Sequence, residues 1–502
     1  MLFRGNAEYT IRKHIIDEHY IKGIIGLPAN IFFGTGIPAS ILIIDKKDKD
    51  TRQGIFFIDA KDGYMKDGAK NRLREQDIKR IVDTWNAQRD VPHYAKFVSY
   101  KEICNEKNDY NLNITRYIIP EDKEIQHDIN AHLHGGIPAY DVEKMQHYWS
   151  VCFGLKDALF AKIDGNYYAL KPRKGEIVEV INTNEGFIAQ SQRFTHSINT
   201  WIDYVREQMY AVNQGSIPKE LIKEWSEKLL EIAKADDSLE DAYQIYDILM
   251  NYWQETMQDD CYMISNDGWT YPEVKAIKRT ETFSKKKKIW TIKETKCTYA
   301  DIVCDLLPVE IILSVYFEKE LEVIDTLQSE LDMVISQRDE LVEDNQDAFT
   351  FSDESDSEDE SDDDGEIKVK EADVKKAIKF AKVNRGDSEL LELWEKWITI
   401  NNQSKAIAKK LNSLRNELTK KVVSKYVELQ PDEVRSLVID KKWIPSLSTR
   451  FTEDMQRIVH QISADVTNLV DRYEFTLSQI DEEVAKYEAK VKSHLGIMGF
   501  EL

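Results

Sequence analysis

Few residues in this 502-residue chain have the types and spacing that do chemistry. Lys285, Lys286, Lys287 and Lys288 form a basic run within Lys278–Trp290, flanked by Trp269, Tyr271 and Trp290. Ammonium groups beside stacking rings grip a nucleic-acid backbone, and the same composition suits a solvated loop; both readings stay open. His127, His132 and His134 are spaced closely enough to approach a metal, yet no cysteine or paired carboxylate completes a ligand set. No metal is expected. The five cysteines, Cys104, Cys152, Cys261, Cys297 and Cys304, include no Cys-x-x-Cys pair and read as reduced core thiols. No Gly-rich turn follows a strand and opens a helix, so no dinucleotide or phosphate cradle is visible.

Charge narrows the partners. A formal net charge of −22 opposes DNA binding by the whole surface, because cations set against phosphates supply most of that affinity. Any DNA contact must be local or shared with a partner. Much of the excess sits in Ser352–Glu366 (SDESDSEDESDDDGE), whose like charges repel and which has nothing to build a core from. A disordered linker is expected there; DNA mimicry or serine phosphorylation is the weaker alternative. No apolar run approaches the roughly 18 residues that cross a bilayer, and the amino terminus carries no secretion signal. The expectation is a cytoplasmic protein without membrane contact.

The elements that must position these residues change along the chain. Ile21–Ile25, Ile41–Ile44 and Ile55–Ile58 are short β-branched runs closed by Gly, Pro or Asp, which predicts strands buried on both faces. Apolar residues three to four apart predict helices within Gly5–Tyr20 and over Gln76–Trp85. Three strands with so few helices do not close a doubly wound domain, so the α/β sheet of residues 1–120 is expected to be incomplete. Residues 121–306 read as a mixed α+β middle region, with helices over Leu221–Ala233 and Ala242–Tyr252 and short strands at Tyr167–Leu170 and Ile177–Ile181. A long helix is expected over 307–350, its seam Ile324, Leu327, Leu331, Val334 and Leu341 interrupted by Arg338. The acidic linker covers 351–370. Residues 371–502 read as a helical region whose coiled-coil-like arm, Met455–Val491, carries Ile462, Val466, Leu469, Tyr473, Leu477, Ile480, Val484 and Tyr487. The two long helices are expected to pair as an antiparallel hairpin, either inside a bundle or as a projecting arm.

The stretch Ile24–Lys46, IIGLPANIFFGTGIPASILIIDK, is a strand, a loop with paired aromatics and glycines, and a second apolar strand. It resembles the strand pair late in the catalytic domain of type I restriction-modification DNA methyltransferase (modification) subunits. Leu2–Ile16, Gly54–Ala60 and Asp109–Pro120 resemble the flanking pieces, and His134–Pro138 (HGGIP) and Tyr252–Trp269 resemble the middle region of larger members. The chain departs from the family in two places. Eleven prolines contain no Pro-Pro pair, so Asn-Pro-Pro-aromatic is absent, and Gly-x-Gly occurs only at Gly34–Gly36, after the wrong element. The resemblance therefore implies the carboxy-terminal portion of such a subunit, with both motifs lying before Met1 in the family's order.

For function, the resemblance implies site-specific adenine N6-methylation with S-adenosylmethionine in the complete enzyme, and none of that cofactor bound by this chain alone. Partners would be a specificity subunit, a restriction subunit, double-stranded DNA and an amino-terminal methyltransferase fragment. Methylating a base inside a duplex requires it to be swung out and held against a ring. Phe32 or Phe33 would be that ring, with Gly34 and Gly36 turning the loop and Thr35 reaching sugar or phosphate. The competing reading is that both rings plug the loop onto the core. A non-catalytic scaffold or decoy that binds the specificity subunit through its helical arms is the alternative function.

Overall fold

β-branched residues are stiff about χ1 and fit a pleated surface, and the isoleucine runs fold accordingly. The computed structural model describes residues 2–120, 126–236, 239–270, 274, 277–284, 289–351, 369–384 and 388–498. Helix α1 (Ala7–Asp17) leads into strands β1 (Ile21–Gly26), β2 (Ser40–Ile44) and β3 (Gly54–Asp59). A small hairpin, β4 (Met65–Asp67) and β5 (Lys70–Arg72), precedes helix α2 (Glu75–Ala87) and strand β6 (Ala95–Ser99). The main sheet has the order β2-β1-β3-β6. Its two central strands run parallel, with Gly26 opposite Asp59, and both outer strands run antiparallel to their neighbours.

Both faces of the central strands are covered. Ile24, Ile55 and Phe57 pack with Ile16 of α1 and with Leu112, Ile114 and Tyr117 on one face; Ile25, Phe56 and Ile58 pack with Ile81 and Trp85 of α2 on the other. Gly23 allows that approach, since a Cβ there would lie 2.2 Å from Trp85 Cζ3 and 2.8 Å from the Phe56 carbonyl oxygen. The expectation of strands buried on both faces therefore holds for β1 and β3. It fails for β2, an edge strand whose Ile41 and Ile44 are 46% and 52% exposed.

Past residue 126 a three-stranded sheet, β7 (Ile137–Pro138), β8 (Phe160–Lys162) and β9 (Tyr167–Leu170), has the order β7-β9-β8. The strand expected at Ile177–Ile181 is instead helix α3 (Ile177–Thr183), which buries Ile177 and Ile181, one helical turn apart. Periodicity alone does not separate a short apolar strand from a buried helix. Helices α4 (Glu185–Ala211), α5 (Pro218–Ala235) and α6 (Ala242–Tyr252) follow. Asn184 and Asp241 cap α4 and α6 by accepting from Phe187 N and Tyr243 N, which satisfies amides a helix start leaves without partners. Helix α2 is tied to α5 and α6 through Lys79 to Glu227 (2.5 Å) and through Lys234 and Tyr243 to Asp83 (2.9 and 3.2 Å).

The chain divides into two units, Met1–Tyr262 with Ile444–Leu502, and Met263–Trp443. In the second unit β10 (Ile277–Ser284) pairs antiparallel with β11 (Ile289–Lys296). Helices α7 (Val309–Tyr316), α8 (Glu318–Glu343), α9 (Glu371–Asn384) and α10 (Ser388–Glu428) make up most of the rest. The seam of α8 is buried at Ile324, Leu327, Leu331 and Val334. It packs on α10, a 41-residue helix that takes the place of the hairpin partner expected at 455–491. Lys442 is buried here, its ammonium donating to the carbonyls of Asp305 and Leu306 at 2.7 and 3.0 Å.

The chain returns to the first unit through α11 (Ile444–Arg472). Phe451 of α11 meets the rings of Phe194 and Trp201 edge-on at 6.4 and 6.1 Å. The single helix expected over 455–491 ends at Arg472, and Thr476 caps a new one, α12 (Leu477–Ile497). The seam splits accordingly. Ile462, Val466 and Leu469 are buried, whereas α12 buries no residue. Among the described residues no helix is long and apolar enough to cross a membrane.

Candidate nucleic-acid interface

The loop from Leu27 to Ala39 joins the two antiparallel strands β1 and β2, and its base is closed by Leu27 N donating to the Ala39 carbonyl at 2.8 Å. Ile31 packs inward, onto the cluster holding Ile25, Phe56 and Ile58. With Leu27 and Ile31 as its apolar anchors, the loop turns its rings out: Phe32 is 54% and Phe33 92% exposed. The reading in which both rings plug the core is thereby corrected. Gly34 takes φ +81°, a conformation that favours glycine. Gly36 has no such requirement; a Cβ there would meet Asn30 Oδ1 at 3.1 Å. The Thr35 hydroxyl oxygen accepts from Ile37 N at 3.2 Å, a local turn bond that leaves its own proton to donate.

The sequence reading missed the residues that fix this loop. Asn71 donates its side-chain amide to the Ala29 carbonyl at 2.8 Å, and its backbone N–H donates to the Asn30 carbonyl at 3.1 Å. Lys70 donates to the Phe32 carbonyl at 2.8 Å and stands over the Phe33 ring, 3.7 Å from its centroid. Both belong to β5 of the β4–β5 hairpin, whose turn holds Gly68 at φ +60°. The signal was present in Asp67-Gly68, a hairpin dipeptide between two short segments.

At the carboxyl ends of the parallel strands lies a cleft of about 550 Å³ lined by Asp59, Lys61, Arg74, Asp77, Arg80 and His93, among others. Ligands of α/β sheets bind outside the carboxyl ends of strands, but here the charges are matched within the cleft. Asp59 pairs with Lys61 at 2.9 Å, Arg74 forks onto Asp77 with two 2.9 Å bonds, and Arg80 is 3.8 Å from Asp241.

The remaining chemical candidates sit apart. Lys285–Lys288 lie outside the described residues, as do Tyr271 and the acidic tract. Trp269 is a core residue packed 6.1 Å from Trp443, which removes it as a stacking platform. His127 Nδ1 and His132 Nε2 are 3.1 Å apart, and among the described residues no group of three ligand side chains is arranged to hold a metal. Four of the thiols are not activated nucleophiles: burial pushes Cys152 up to about 11 and also raises Cys104, Cys261 and Cys304. The chemistry this surface offers is noncovalent: exposed rings, an amide-pinned loop and a lysine beside them.

Residues 1–126 match the N-6 DNA methylase family. That span contains the sheet, the Phe32–Phe33 loop and the hairpin that pins it. The chain is similar to the type I restriction enzyme MpnII methylase subunit of Mycoplasma pneumoniae, 33% identical over 29% of this chain and 26% of that protein. It is also similar to the MjaVIII methylase subunit of Methanocaldococcus jannaschii, 38% identical over 25% of this chain and 22% of the relative. The chain thus spans about a quarter of the length of these curated relatives. A crystal structure of the type I restriction-modification system methyltransferase subunit from Streptococcus thermophilus matches at 41% identity, covering 24% of this chain and 25% of that one, with a TM-score of 0.22.

Proposed function

We propose that this chain is the DNA-facing, carboxy-terminal portion of a type I modification subunit that methylates the N6 amine of adenine. The observation that carries this reading is the outward display of Phe32 and Phe33 within the span that matches the N-6 DNA methylase family. A loop tied to β5 by Asn71 and Lys70 presents two exposed rings, which suits gripping a base outside its stack. Of the two candidate rings, Phe33 has one face occupied by Lys70, so Phe32 is the one we assign to the target base, with Gly34 shaping the turn and the Thr35 proton directed to sugar or phosphate.

S-adenosylmethionine supplies the methyl group in the complete enzyme. The residues described here do not fit that cofactor. Gly34–Gly36 leads into a strand and not into a helix, and the charges lining the cleft beyond β3 are paired with one another. Nor does the sequence contain Asn-Pro-Pro-aromatic, whose hydrogen bonds would make the amine lone pair available. With neither part among these 502 residues, the purified chain is expected to transfer no methyl group. Radiolabel from S-adenosylmethionine appearing in an adenine-containing duplex with this chain alone would refute that.

A second reading, a scaffold that has lost catalysis, is favoured by one feature, the exposed seam of α12. A specificity subunit is the partner under both readings, with a restriction subunit added in the first, so co-purification with the specificity subunit does not separate them. Adding an amino-terminal fragment that bears the two motifs does: methylation returns if this is a modification subunit and stays absent if it is a scaffold.

A further inference from the structure

We infer that Phe33, Lys70 and the cations of the β4–β5 hairpin form a binding platform for an unpaired nucleotide, separate from the ring assigned to the target base. The inference rests on the reading that this loop faces DNA, and adds to it a second nucleotide contact and the residues that make it. Lys70 is placed by two independent contacts, its bond to the Phe32 carbonyl at 2.8 Å and its position 3.7 Å over the Phe33 ring. With its ammonium on one face and 92% of the residue exposed, Phe33 offers the rest of its ring to a planar ligand. A cation on one face draws electron density from the ring and favours an electron-rich base stacked against the other.

The surroundings select the kind of ligand. The hairpin carries Lys66, Lys70 and Arg72 against the single carboxylate of Asp67, in a chain whose net charge is −22. Such a local basic island beside an exposed ring meets the two halves of a nucleotide, phosphate and base. Arg72 and Asp67 are 4.0 Å apart and both largely exposed, so their pairing is weak and yields to a phosphate. Stacking reads no base edge, so the platform takes any unpaired nucleotide. A blunt duplex hides its base faces and fits only through its backbone. The platform would hold a strand that has already left the helix beside the target base.

The test is fluorescence anisotropy of a short labelled oligo(dT) titrated with the full chain at several salt concentrations, with a blunt duplex as competitor. Oligo(dT) contains no adenine, so its binding is independent of methyl transfer, and a reconstituted enzyme that fails to methylate would count against the proposed function without touching this result. Phe33→Ala is expected to weaken binding about fivefold to a hundredfold, the range for losing one base–aromatic stack. Lys70→Glu is expected to weaken it and to flatten the dependence of log affinity on log salt by about 0.7, one single-strand phosphate contact. Lys70→Arg should restore most of the affinity. Phe33→Trp should show quenching on oligo(dT) beyond that of the parent chain. Absent binding to oligo(dT), binding unchanged in Phe33→Ala and Lys70→Glu, or equally effective competition by the blunt duplex would each overturn the assignment.

Discussion

Glu240 sits in the first unit with its carboxylate 2.8 Å from Arg457, which also pairs with Asp454 at 2.7 Å. Burial and the neighbouring Asp454 carboxylate push Glu240 up to about 8, against the pull of Arg457. An exposed Glu titrates near 4.3, so the folded state holds this proton more tightly than the unfolded chain does. The resulting stabilisation is full below the unfolded value and is lost as pH rises through 8, with a slope of at most about 1.4 kcal/mol per pH unit. Parent chain is expected to melt lower at pH 9 than at pH 6, while Glu240→Gln should flatten that difference; a parallel decline in both proteins would remove Glu240 as its source. At this scale the sequence picked out the loop but left open whether its rings face inward or outward. Ile31, Phe32 and Phe33 are all apolar, and which one fills the core depends on where β5 holds the loop through Asn71 and Lys70. That constraint comes from residues some forty positions away, and nothing local encodes it.

Among the elements, β2 stands out for what it leaves uncovered. Its five residues, SILII, carry no charge, and Ile41 and Ile44 are about half exposed at the sheet's edge. Folded proteins usually blunt such an edge or pair it, which supports β2 as the strand on which the cofactor-bearing part of the proposed enzyme adds. Ile41→Lys is expected to leave the melting temperature nearly unchanged, as surface substitutions do within about 0.5 kcal/mol, and to abolish recovery of methylation by an added amino-terminal fragment. Full recovery by the Lys variant would place the junction elsewhere. The first three strands and the helices α1, α2, α5 and α6 were legible because their apolar spacing matches one template. Others were not, β6 and α3 among them. β6 is interrupted by Lys96, and α3 has an apolar run short enough to suit either strand or helix.

At the level of the whole molecule, the second unit is inserted between two stretches of the first, and α11 completes the first unit's core from the far end of the chain. The resemblance was read as far as His134–Pro138 and Tyr252–Trp269, whereas the family match covers residues 1–126; the pairing of α8 with α10 joins segments across the acidic tract and had no signature of its own. Helix α12 ends the described chain with Leu477, Ile480, Val484, Tyr487 and Val491 spaced three and four apart and all exposed, the spacing of a coiled-coil seam. Under the proposed function, this arm takes a partner helix of the specificity subunit. Replacing Ile480 and Val484 with Asp should abolish co-purification with that subunit while leaving the melting temperature in place; retained co-purification would free the arm of that role.

Phe351 and Val369, the residues flanking the acidic stretch, pack into the same small cluster around Phe349, Val374 and Trp397. The stretch is thus tied down at both ends in one place. Joining two fixed ends grows harder only with the logarithm of the length between them, by about 0.6 kcal/mol for each doubling, so changes of length between these anchors are expected to cost far less than loss of either anchor.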